Sequence, residues 1–72
     1  MRGQAGAEWR REFARLCVLR PVLAEEVDGL VVRARRGVVV DLAGRLLVLA
    51  EGEYGEDARV VLGRLAEISK EL

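Results

Sequence analysis

Few residues in this chain could do chemistry, and they are scattered. A nucleophile needs a base beside it, and the 72-residue sequence contains no histidine. Cys17, the one cysteine, sits among Leu16, Val18 and Leu19 and reads as a small buried hydrophobe. Ser69, the one serine, falls in an exposed turn late in a helical pattern. Hard cations need clustered carboxylates. The densest acidic run is Glu51, Glu53, Glu56 and Asp57, and it reads as a solvated loop leading into a helix start. Glu25, Glu26 and Asp28 read the same way. Gly52, Gly55 and Gly63 lack the Walker spacing of a phosphate loop. What remains is basic: Arg33, Arg35 and Arg36, with Arg45 further on. These four could contact phosphates or an acidic partner; the plainer reading is helix C-capping and solubility. No catalytic, cofactor or metal residue is expected, and the chain does not read as an enzyme.

Composition narrows the class. A chain of this length is one domain, expected over 9–72 behind a loose Gly/Ala-rich tail at 1–8. It is 51% hydrophobic with one Trp, one Phe and one Tyr. A small domain buries a limited share of its surface, so that much aliphatic material points to a partner, a second copy or a larger protein. Charge is balanced, twelve basic against twelve acidic residues, unlike the basic domains that bind nucleic acid by bulk electrostatics. A single cysteine precludes an internal disulfide, and no apolar stretch has the length of a membrane span. No secretory leader is recognisable. A cytoplasmic location follows as the expectation. With no Asn, no Thr and a single Gln, a thermophilic source is expected as well.

The elements that would position these residues come next. Pro21 suits the first position of a helix. Leu23, Val27, Leu30, Val31 and Ala34 recur at helical spacing, and Gly37 is placed to end the segment at Arg36. A second helix is expected over Glu56–Leu72, with Ala58, Val61, Leu65, Ile68 and Leu72 on one face. Between them, Val38–Leu42 and Leu46–Ala50 read as two strands around a Gly44-Arg45 turn. Val38, Val40, Leu42, Leu47 and Leu49 would then line one face of the hairpin; Val39, Leu46 and Val48 fall on the other. Glu12–Leu19 reads as a strand because a lone hairpin is marginal, although its Ala, Glu, Arg and Leu content favours helix. The expected fold is α+β, a β-α-β-β-α module with an antiparallel sheet and helices on one face. The alternative is α-α-β-β-α.

In that order, Glu12–Leu19, Pro21–Arg36, Val38–Ala50 and Glu56–Leu72 resemble the small dimerising subunits of the KEOPS complex, the Pcc or cancer/testis-antigen-like family of archaea and eukaryotes. The stretch GVVVDLAGRLLVLAEGEYGEDARVVLGRLAEISKEL is similar to that family's hairpin and closing helix. Gly63-Arg64-Leu65 stands where the family often carries Asn-Ser before Leu-Arg. The resemblance implies an accessory subunit that pairs through its sheet and docks on an enzyme forming N6-threonylcarbamoyladenosine on tRNA.

The expected function is thus a non-catalytic interaction or dimerisation module within a larger complex, as a homo- or hetero-dimer. Its expected interface residues are Val39, Leu46, Val48, Leu23, Val27, Leu30, Val61, Leu65 and Ile68. The alternative is a small nucleic-acid-binding module, with possible tRNA contact, using Arg33, Arg35, Arg36 and Arg45.

Overall fold

Arg20-Pro21 divides the N-terminal half of the molecule. The residue before proline is pushed out of the helical region, and Arg20 has φ −145° and ψ 83°. Helix α1 (Arg2–Leu19) ends there and α2 (Pro21–Arg35) begins one residue later, with Pro21 in its first turn. The computed structural model describes residues 2–38 and 41–72. The remaining elements are α3 (Leu42–Ala50) and α4 (Glu56–Ser69).

Among the described residues every element is helical and there is no strand. This corrects the expected α+β fold, in both its β-α-β-β-α and α-α-β-β-α forms. Two segments carry the correction. Glu12–Leu19 is helical, continuous with Arg2–Arg11. Its buried and half-buried residues Ala5, Trp9, Glu12, Phe13 and Leu16 follow a helical spacing. Residues 2–8, expected as a loose tail, form the first turns of this helix, with Ala5 buried.

The second segment is the expected hairpin. Residues 42–50 are helix α3, not a turn between two strands. The Asp41 carboxylate caps it, accepting the Gly44 N–H at 3.1 Å. That bond satisfies one of the donors a helix start leaves open. A Cβ at Gly44 would meet the Asp41 carboxylate as it stands, so a side chain there would make that carboxylate shift. Leu42, Leu46, Leu49 and Ala50 then face inward at spacings of three and four, with Leu46 fully buried. Leu, Ala and Arg dominate the segment and all favour helix. Val39 and Val40 lie outside the described residues, so the first expected strand is represented here by Val38, Asp41 and Leu42; of these Val38 is exposed and non-helical.

The two helices expected at 21–36 and 56–72 are present as α2 and α4. Gly37 ends α2 with φ 83°, a conformation favourable only to glycine. Its N–H donates to Ala34 O at 3.2 Å, and the Val38 N–H donates to Arg33 O at 3.1 Å. These two bonds are the Schellman pattern of a helix C-terminus.

Helix α4 is the centre of the core. It packs against α1 on one side and α3 on the other. Ala58, Val61, Leu62, Leu65, Ala66 and Ile68 are buried along it. Leu16 of α1, Leu23 and Val27 of α2, and Leu46 of α3 complete the cluster. Arg20 ties the α1–α2 elbow to the loop before α4, donating from Nε to Tyr54 O at 2.9 Å. Helix α2 is the outlier. It packs against α1 and only lightly against α3. Its buried residues, Leu23, Ala24 and Val27, all lie in its N-terminal half.

Candidate interaction surface

The second half of α2 keeps an apolar sequence, Leu30-Val31-Val32, that the rest of the fold covers only in part. Leu30 and Val31 are half-buried, and Val32, Ala34 and Val38 are exposed. The three arginines that follow, Arg33, Arg35 and Arg36, are exposed too. Because successive helical residues point 100° apart, Arg33 and Arg35 leave α2 on nearly opposite sides. Two hollows result, one on each flank.

The first hollow lies between α2 and α3 and encloses about 360 Å³. Gly29, Leu30, Val48 and Leu49 supply its apolar lining, and Glu26, Arg33 and Arg45 its charges. Val48 is 65% exposed and Leu47, one residue before it, 47%. A methyl group placed on Gly29 would meet no atom within 4 Å, so the floor is open. None of Glu26, Arg33 or Arg45 forms an ion pair among the described residues.

The second hollow lies between α1 and α2. Trp9 and Phe13, one turn apart on α1, are near-parallel there with ring centroids 6.5 Å apart. Val31 and Ala14 are beside them, with Arg10, Asp28 and Arg35 at the edges. Cys17 also lines this hollow and is exposed, which corrects its reading as a buried hydrophobe. One position from fully buried Leu16, it has turned off the core face.

The residues singled out from sequence therefore divide. Leu23, Val27, Leu46, Val61, Leu65 and Ile68 are buried within the chain's own fold. Leu30 and Val48 line the α2–α3 hollow, and Val39 lies outside the described residues. Arg33 and Arg45 come together in that hollow, whereas Arg35 borders the other one. Arg36 is exposed at the end of α2. The four arginines do not line a single groove. Glu26 and Gly29 also line the site. Their signal was in the helical wheel: Val22, Glu26, Gly29 and Arg33 form one stripe at spacings of four, three and four.

The Ser69 hydroxyl donates to Ala66 O at 2.7 Å within its own helix. Among the described residues no group of three or more His, Cys, Asp or Glu is placed to hold a metal ion. No helix among them is long and apolar enough to cross a membrane. The fold class is thus a small all-helical domain built around α4, with a partly uncovered helix at its edge. No family model, curated protein or solved structure matches the chain.

Proposed function

We propose that this chain is a non-catalytic assembly module that binds protein through the outer face of α2 and α3. One observation carries the reading: α2 has an apolar and arginine-rich C-terminal half that the chain's own core does not cover. Exposed single hydrophobes are ordinary. Here Leu30, Val48 and Leu49 share one hollow, with Val32 and Leu47 exposed on the same two helices and charged groups around them. An apolar patch with a charged edge is the common anatomy of a protein interface.

The role in tRNA modification implied by the resemblance drew on a strand, a hairpin and a sheet edge. The described residues offer none of these, so the proposal keeps only the non-catalytic assembly role. Val48→Glu tests it. Val48 is 65% exposed, so the change leaves the helical circular dichroism intact. In extracts of the native cells, the tagged wild-type chain elutes within an assembly larger than its 8.0 kDa mass, and the variant elutes as a monomer. Elution of the wild-type chain as a monomer would overturn the proposal.

A further inference from the structure

We infer that the partner on this face is a second copy of the same chain, with the two α2 helices crossing antiparallel at Gly29. The inference rests on the assembly reading above and names its occupant. The stripe on α2 reads Val22, Glu26, Gly29, Arg33. Glu26 and Arg33 are two turns apart on one side of the helix, roughly 10 Å along its axis. Gly29 and Leu30 lie midway between them.

A two-fold axis through that midpoint makes the stripe its own complement. Glu26 then meets the partner's Arg33, and Arg33 meets the partner's Glu26. This is what an isologous interface requires, one surface matching itself under a two-fold rotation. A parallel arrangement would set Glu26 against Glu26 and Arg33 against Arg33. The wider charge distribution agrees: Glu25, Glu26 and Asp28 lie in the first half of α2, and Arg33, Arg35 and Arg36 end it or follow it. Antiparallel pairing sets each acidic half beside a basic one and opposes the two helix dipoles.

Gly29 supplies the close approach. It carries no side chain at the crossing point, and the space its Cβ would occupy is empty in the monomer. Val22 is 73% exposed on the same stripe. Val48 of α3 flanks the stripe and adds apolar area to the contact. Glu26 and Arg33 also have no ion-pair partner of their own among the described residues. Dimerisation therefore breaks no existing pair.

Charge exchange tests this with the full chain. Sedimentation at high micromolar concentration is expected to give twice the 8.0 kDa protomer mass for the wild type. Glu26→Arg alone makes the stripe wholly basic, and Arg33→Glu alone makes it wholly acidic. Each is expected to dissociate with a constant at least tenfold weaker than the wild type. Mixed in equal amounts, the two variants are expected to form a heterodimer of near wild-type affinity, because every cross pair is then opposite in sign. Gly29→Leu is expected to be monomeric with undiminished thermal stability, since position 29 is exposed, a Cβ there meets no atom in the monomer, and the side chain collides at the crossing in the dimer. A monomeric wild type overturns the inference, as does a mixture of the two variants that fails to associate. Normal dimerisation of Gly29→Leu overturns the crossing point. A chain that is monomeric when pure, yet enters a larger Val48-dependent assembly in extracts, overturns the second copy as partner and leaves the assembly reading standing. A chain that is monomeric in both settings overturns both.

Discussion

Glu12 is the one charged residue that the described fold buries, at 7% exposure. Its Oε2 lies 3.6 Å from Nη1 of Arg64 and its Oε1 3.9 Å from Nη1 of Arg15. Neither distance is a hydrogen bond, and Oε1 has no hydrogen-bond partner among the described residues. An unsatisfied buried polar atom costs about 1–3 kcal/mol, and both arginines are more than half exposed, where solvent weakens their attraction. Replacing such a group by an apolar one of similar volume is often stabilising. Glu12→Met is therefore expected to raise the thermal midpoint, read by circular dichroism; a lowered midpoint would mean that the ion pairs outweigh the burial. Leu65 gives the opposite case. It is fully buried on the central helix, and Leu65→Ala is expected to cost about 2–5 kcal/mol in denaturant unfolding. An effect below about 1 kcal/mol would contradict the placing of α4 at the centre of the core.

At the level of elements, Asp41 decides between two readings of one segment. Alternation of apolar residues made 38–50 look like a hairpin, and Gly44-Arg45 looked like its turn. The same residues hold a cap, Asp41 with the Gly44 N–H three positions on, followed by a helical stripe of Leu42, Leu46, Leu49 and Ala50. Short apolar runs fit both periods; the cap and the Leu/Ala content carried the information that alternation lacked. Asp41→Ala is expected to cost about 1 kcal/mol, seen as faster amide exchange in the first turn of α3. Unchanged exchange there would argue against the cap. Helices α2 and α4 were legible because Pro21, Gly37, Glu56 and Asp57 mark their ends and their apolar stripes run for several turns. Residues 12–19 follow their own Ala, Glu, Arg and Leu propensity into α1, and with no hairpin beside them there is no sheet for a third strand to complete. The candidate site was half legible. Arg33, Arg45, Leu30 and Val48 could be named from type, but their convergence depends on α3 being a helix beside α2. Conversely, Leu23, Val27 and Leu65 fit a core and an interface equally well from spacing alone, and only packing around α4 assigns them to the core.

For the whole molecule, the unevenness of packing around α4 is the main feature. The radius of gyration is 11.3 Å, close to that of a compact chain of this length, yet α2 is held mainly by its first half. Segments with few buried contacts open most easily, so the last two turns of α2 should exchange fastest in the isolated monomer. The split of the arginines between two flanks also bears on nucleic acid. Simultaneous replacement of Arg33, Arg35, Arg36 and Arg45 by Ala is expected to leave tRNA retention in a filter-binding titration unchanged. A large loss of a salt-dependent affinity would favour the nucleic-acid reading instead. The most direct measurement is amide hydrogen exchange across residues 29–38 at low and high micromolar concentration. Self-association of two copies through α2 predicts that exchange in this segment slows as concentration rises while the amides of α4 keep their rates; equal exchange in 29–38 at both concentrations would contradict the second copy as partner.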